Sequence, residues 1–137
     1  MRTLKDDLAE LPLFAEASRS QLAIIRRQLT KVHVPAGRVL VEEGARGDQF
    51  MIISDGEAAV SRRGQTIATL QRGDLVGEMA LLEGDGIGRR NATVTVLRDA
   101  TIYVGTPAEF RRILQTAPSV AHKVRQTAAV RGFSRAA

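Results

Sequence analysis

Apolar positions in this 137-residue chain change period twice, and each change predicts a change of element type. Leu22, Ile25 and Leu29 recur at i, i+3 and i+7, one face of an amphipathic helix. Ser18-Arg19-Ser20-Gln21 sets a capping box ahead of it, with Ser18 as N-cap and Gln21 at N3. Leu11-Pro12-Leu13-Phe14 reads as an apolar turn packed beneath that helix. From Lys31 to about Gly105 the period shortens. Val32 and Val34, Val39 and Val41, Phe50 to Ile53, a run closing at Val60, Ile67 to Leu70, Thr93 to Leu97 and Thr101 to Val104 lie between turn signals. Arg98-Asp99 is expected to be one of those turns. About seven or eight short strands with a turn roughly every ten residues predict an antiparallel sandwich or β-roll, and no strand–helix alternation suggests a parallel sheet.

Helical spacing then returns. Thr106-Pro107-Ala108-Glu109 places an N-cap Thr, Pro at N1 and Glu at N3 in register. Phe110, Ile113 and Leu114 supply the buried face. Pro118 is expected to end this helix. A second helix is predicted from Ser119 to Arg131, with Val120, Val124 and Thr127 on one side and Gly132 as its stop.

Ten of the 12 glycines fall between Gly37 and Gly88, inside the strand-like zone, which fits tight turns there and helices on either side. Hydrophobic content of 44% and charged content of 26% belong to a folded domain, and the length suits one such domain. The absence of cysteine excludes disulfides, thiol catalysis and thiolate metal ligands. No apolar run reaches the roughly 20 residues of a membrane span, and acids stand where a signal peptide needs apolar residues, so a soluble, cytoplasmic protein is expected. Net charge is +5, and 17 of the 20 basic residues are arginines. They come as scattered pairs (Arg26-Arg27, Arg62-Arg63, Arg89-Arg90, Arg111-Arg112) without interleaved aromatics. Specific DNA binding is therefore not expected.

The chemistry concentrates in Gly77-Glu78-Met79-Ala80-Leu81-Leu82 and, after a glycine-rich connection, Arg90-Asn91-Ala92-Thr93-Val94. A helical turn pinned by the leucine pair would present free N–H groups to a phosphate. Arg90 can offer a fork of donors to the same anion, and Glu78 can accept from a hydroxyl. Spacing alone leaves a second reading open, a surface ion pair between Glu78 and Arg90 across a loop.

The order of elements and the motif together resemble the cyclic nucleotide-binding domain family. Its phosphate-binding cassette usually reads Phe-Gly-Glu-Leu-Ala-Leu, a short gap, then Pro-Arg-(Ala/Thr)-Ala-Thr-Val. This chain carries Val76-Gly77-Glu78-Met79-Ala80-Leu81 and Arg89-Arg90-Asn91-Ala92-Thr93-Val94. Leu13-Phe14, Ala36-Gly37, Glu43-Gly44, Gly47-Asp48, Ile53-Ser54-Asp55-Gly56 and Gly73-Asp74 fall where the family carries its turn residues. The resemblance spans roughly Leu11 to Val130. It implies a mainly β fold with flanking helices: an antiparallel, jelly-roll-like β-roll, an N-terminal helical segment and two C-terminal helices. The whole chain, 1–137, is expected to be a single domain. N-terminal helices would occupy about 4–30, the β-roll about 31–105 with the cassette at 76–94, and the C-terminal helices about 107–131.

The resemblance also implies roles. Glu78 would accept from the ribose 2′-hydroxyl, and Arg90 would pair with the cyclic phosphate. Backbone N–H groups at Ala80 and Ala92 would complete the cradle, and Gly77 would let backbone approach ligand. Met79 and Asn91 lie in the same ligand-binding set, while Leu81-Leu82 would be structural. Asn91 stands where a hydroxyl residue accompanies cGMP preference, so cAMP is favoured over cGMP. Val124, Arg131 and Phe133 are candidates for closing over the base. Three departures stand out: Val76 for Phe, Arg89 for Pro, and a longer loop Glu83-Gly84-Asp85-Gly86-Ile87-Gly88, expected to order on binding.

The function expected is a sensor: a cyclic purine nucleotide binds and a protein effector receives the change. No cofactor, catalytic residue or metal site is expected. Cupin-type metal chemistry would need converging histidines, and His33 and His122 lie far apart in the chain. No Gly-x-Ser-x-Gly elbow is present. The alternatives are a degenerate, non-binding interaction scaffold, or the sensor fragment of a larger transcription regulator or channel. Within 137 residues no room is expected for a DNA-reading domain after the last helix.

Overall fold

A computed structural model describes residues 7–77 and 89–136, with side chains described for 8–77 and 89–127. A short helix α1 (Asp7–Glu10), a 3-10 turn (Pro12–Phe14) and helix α2 (Arg19–Gln28) lead into six strands. These are β1 (Thr30–Val34), β2 (Val39–Val41), β3 (Phe50–Arg62), β4 (Gln65–Leu70), β5 (Leu75–Val76) and β6 (Thr93–Gly105). Helices α3 (Pro107–Thr116) and α4 (Pro118–Ala136) follow.

Two 13-residue strands, β3 and β6, make the frame. They pair antiparallel from Phe50↔Gly105 to Ser61↔Thr93, with register shifts around Asp55 and Glu57. Each spans what the sequence divides into two shorter strands. Arg98-Asp99, expected as a turn, lies inside β6, with Arg98 opposite Glu57. Bulges bend a paired ribbon without ending it, so polar residues there mark a fold in the ribbon rather than a break. On one side of the bend, β1 pairs with Ala100–Val104 of β6, and β5 pairs with Met51 and Ile52 of β3. On the other side, β2 pairs with the start of β6 and β4 with the end of β3. The result is an antiparallel roll.

Strand periodicity divides the core between two clusters. Phe50, Ile52, Leu75 and Tyr103 face the helices and pack with Phe14, Ile25, Phe110, Ile113, Val120 and Val124. Their neighbours Met51, Ile53, Val76 and Ile102 face the interior of the roll with Val34, Val94 and Val96. Both faces of this half of the sheet are covered, which explains why Phe50 to Ile53 is an unbroken apolar run. Phe50 and Phe110 meet at 4.6 Å between ring centroids with a 52° tilt, joining α3 to the sheet.

The helix starts follow from sequence. Ser18 Oγ accepts from Gln21 N at 3.1 Å while Ser18 N donates to Gln21 Oε1 at 2.9 Å. Thr106 and Glu109 repeat the arrangement at α3. Each N-cap is worth about 1 kcal/mol. Pro118 separates α3 from α4 and starts the second, where its missing N–H costs no hydrogen bond. The expected stop at Gly132 is not observed: α4 continues to Ala136. A helical Gly costs about 1 kcal/mol relative to Ala and does not by itself end a helix.

The β3–β4 turn holds a residue against its preference. Arg62 pairs with Gln65, so Arg63 and Gly64 form the two-residue loop, with φ of 53° and 80°. A left-handed conformation suits Asn or Gly and costs another L-residue about 1 kcal/mol. Arg63→Asn is therefore expected to stabilise the fold by about 1 kcal/mol and raise Tm by about 3 °C in a thermal melt. A lower Tm would mean that the Arg63 side chain itself supports the fold.

Candidate functional site

Gly44 to Gly47, after β2, runs antiparallel to the residues before β6. Arg90 N donates to Ala45 O and Gly44 N donates to Arg90 O, both at 2.8 Å, and Arg46 bridges Arg89. Thr93 Oγ1 accepts from Glu43 N at 2.9 Å. The downstream half of the cassette is thus strapped to the roll by backbone, which sets where the Arg90 side chain points.

That side chain occupies a slot. Its Nη2 donates to the carbonyl of Gln49 at 2.7 Å, and its guanidinium lies between the backbones of Gly47 and Gly77. A Cβ at position 47 would stand 2.7 Å from Nη2 and 2.8 Å from Cζ. A Cβ at position 77 would stand 2.6 Å from both Nη1 and the Gln49 oxygen. Gly77 also has a φ of 89°, a conformation that side chains resist. It follows directly on β5, whose Leu75 and Val76 are anchored in the two cores. The slot is therefore built from the start of β3, the end of β5 and the loop after β2. It holds a delocalised, planar positive charge half-buried and in one orientation, an arrangement suited to an anion such as a phosphate.

The predicted residues distribute as follows. Gly77 and Arg90 come together, and Asn91 and Ala92 follow Arg90 in the chain. Asn91 is exposed, its carbonyl accepting from Arg62 Nε at 3.0 Å, and Ala92 is buried. Glu78, Met79 and Ala80, the Leu81-Leu82 pair and the loop Glu83 to Gly88 lie outside the described residues. Val124 is 1% exposed in the helix-side core. Arg131 and Phe133 belong to α4, and their side chains lie outside the described set. Val76, in place of the usual Phe, is buried inside the roll. Gly47 and the Gln49 carbonyl were not foreseen as site components. Gly47-Asp48 is visible in the sequence as a turn signal, but nothing there places it against an arginine, and Gln49 and Arg90 are 41 residues apart.

Other chemistry is sparse. His33 Nδ1 lies 2.9 Å from Thr101 Oγ1, and His122 is exposed on α4. Among the described residues no group of three or more His, Cys, Asp or Glu is placed to hold a metal ion, and no helix is long and apolar enough to cross a membrane. A hollow of about 220 Å³ lies between α4, the Pro12-Leu13 turn and the approach to β5. Lys123 at its edge is engaged, donating to Pro12 O at 2.7 Å and pairing with Glu16 at 3.4 Å.

Fold and site together define a β-roll that seats an arginine at the end of the short strand β5. The chain belongs to the cyclic nucleotide-binding domain family, whose profile matches residues 31–117. It is 32% identical over 121 residues to a cyclic nucleotide-gated potassium channel of Rhizobium etli, covering 88% of this chain and 33% of the channel. It is 33% identical over 111 residues to a cAMP-dependent protein kinase regulatory subunit of Schizosaccharomyces pombe, covering 80% of this chain and 26% of that protein. A cGMP-dependent protein kinase of Caenorhabditis briggsae is 26% identical over 112 residues, covering 82% and 15%. The chain thus spans a third or less of the length of these relatives. The Thermus thermophilus catabolite activator protein shares the fold, with a TM-score of 0.76 at 23% identity, over 90% of this chain and 59% of that one. So does a structure described as Sp-2Cl-cAMPS bound to PKAR CBD2, with a TM-score of 0.77 at 23% identity over 98% and 86%.

Proposed function

We propose that this chain, acting as one domain over residues 1–137, is a cytoplasmic sensor of a cyclic purine nucleotide. cAMP is its preferred ligand over cGMP, and it transmits binding to a protein effector. The seat of Arg90 carries the reading: three backbone segments converge to hold one guanidinium half-buried at the end of β5. Arg90 would pair with the exocyclic oxygens of the cyclic phosphate. Glu78 would accept from the ribose 2′-hydroxyl, and N–H groups at Ala80 and Ala92 would complete the cradle, with Gly77, Met79 and Asn91 in the same cassette. Val124 serves the core in the arrangement described, leaving Arg131 and Phe133 as the proposed contacts to the base. The role is binding rather than catalysis. The preference for cAMP draws support from Asn91 and from the names of the relatives. The cAMP-dependent regulatory subunit is 33% identical and the cGMP-dependent kinase 26%.

Transmission is proposed to be a population shift, because a ligand moves an equilibrium only by binding one arrangement better. Lys123 ties α4 to the Pro12 carbonyl and Glu16, so reorienting the C-terminal helices breaks that tie. Ordering of residues 83–90 on binding is part of the reading, and hydrogen exchange there is expected to slow sharply with ligand. The shares of the relatives' length covered by this chain favour a second reading of its context, as the sensor piece of a longer channel, kinase or transcription regulator.

Thermal melts with cAMP, cGMP and a cyclic dinucleotide test the proposal. At about 100 times Kd, cAMP is expected to stabilise the chain by about 2.7 kcal/mol, with a smaller effect from cGMP at the same concentration. No shift with any of the three would replace the sensor by a non-binding scaffold.

A further inference from the structure

Beside the Arg90 slot stand four other arginines, none of them in an ion pair with another described residue. Arg46 and Arg89 face each other in their antiparallel bridge, so their side chains leave on the same face, opposite to that of Arg90. Both are exposed, and Arg89 Nη1 is steadied by the Gly44 carbonyl at 2.8 Å. Arg62, at the end of β3, is pinned to the same segment through the Asn91 carbonyl. Arg63 follows it on the turn, its backbone N–H donating to Glu43 Oε1 at 2.8 Å. Neither ion pair between described residues, Arg72–Glu10 or Lys123–Glu16, uses any of the four. The position of Arg63 adds a second observation. At φ 53° an arginine stands where Asn or Gly would sit without strain, and backbone strain of this kind concentrates at functional surfaces.

We infer that Arg46, Arg62, Arg63 and Arg89 form a docking surface for a partner protein, which engages it through a short segment rich in Asp and Glu. Guanidinium forks match carboxylates two hydrogen bonds at a time, and four of them on three adjoining segments suit a compact acidic stretch. Exposed Glu42 and Asp48 on the same loop bound the patch. Nucleic acid fits less well: the described aromatic rings, Phe14, Phe50, Tyr103 and Phe110, are buried, which leaves no stacking platform beside the arginines. An anionic membrane also fits less well. Among the described residues, the exposed large apolar side chains, Ile24, Val39, Ile67 and Leu97, stand on α2, β2, β4 and β6 rather than on these loops. The surface does not depend on which ligand the cassette takes.

Fluorescence anisotropy of labelled octaglutamate with the full chain, at about 50 mM salt, tests the surface. Arg46→Gln/Arg63→Asn is the test variant, since Asn relieves the turn and keeps the protein folded. Arg111→Gln/Arg112→Gln, on exposed α3 positions, removes the same net charge elsewhere. Octaglutamate is expected to bind the test variant about tenfold more weakly than wild type and the control as wild type does. Equal weakening in both variants would reduce the effect to net charge and overturn the inference. So would single-stranded DNA or phosphatidylserine vesicles binding through Arg46 and Arg63 while octaglutamate binding is indifferent to them. Because cAMP binding is measured separately on wild type, failure of the docking surface and failure of the sensor reading are told apart.

Discussion

Arg90→Ala is expected to weaken cAMP binding by about 3 kcal/mol, a little over a hundredfold in Kd, while the ligand-free protein still melts cooperatively. In the sensor reading, the ligand's anionic charge is compensated chiefly by this one guanidinium. Its loss leaves a partly desolvated phosphate facing an empty slot. The fold is expected to lose less, since the half-buried Nη2 bond to the Gln49 carbonyl is worth about 1–2 kcal/mol. Arg90→Lys is expected to recover only part of the affinity. An ammonium keeps the charge but not the planar fork, and it cannot hold Gln49 and a phosphate in the same fixed geometry. Isothermal titration with cAMP and a thermal melt without it separate the two effects. A variant that keeps wild-type affinity would remove Arg90 from the site.

Gly47→Ala is expected to lower cAMP affinity about tenfold with almost no change in the denaturant midpoint. The added methyl would overlap the Arg90 guanidinium, the far end of a flexible side chain, so the side chain can yield and the backbone need not. The fold tolerates the change, but the arginine leaves its binding orientation. Gly77→Ala differs in kind, because its methyl would meet the Gln49 carbonyl as well and the backbone conformation at φ 89° is itself unfavourable. A double-mutant cycle makes the Gly47 mechanism specific: in an Arg90→Ala background, Gly47→Ala should cost no further affinity. A further loss there would show that Gly47 meets the ligand by another route.

Much of the fold was legible because it depends on local chemistry. Both capping boxes, the apolar turn at Leu11 to Phe14, and the helical faces at Leu22 and Ile25 and at Phe110 and Ile113 are short-range patterns, and each forms as the residues require. Strand count was less legible. Asp55-Gly56 and Arg98-Asp99 carry ordinary turn composition, yet they bend two long strands that remain paired with each other. A bulge and a turn use the same residues, and only the partner strand distinguishes them. The end of α4 shows the same limit, since Gly132 is compatible with a stop but does not impose one.

The sequence by itself determined the family, the roll and the identity of Arg90 as the residue to watch, because the cassette motif and the glycine landmarks are short local patterns that occur in order along the chain. Only the tertiary structure decided what holds that arginine. Gly47, Gln49 and Gly77 reach it from the loop after β2, the start of β3 and the end of β5, and their convergence depends on how β3 bends and pairs. The same folding brings Arg46, Arg62, Arg63 and Arg89 onto adjoining segments beside that slot, although in the sequence they read as scattered charge. The physical reason is that local preference acts over a few residues, whereas the slot is a packing and backbone hydrogen-bond arrangement among segments tens of residues apart.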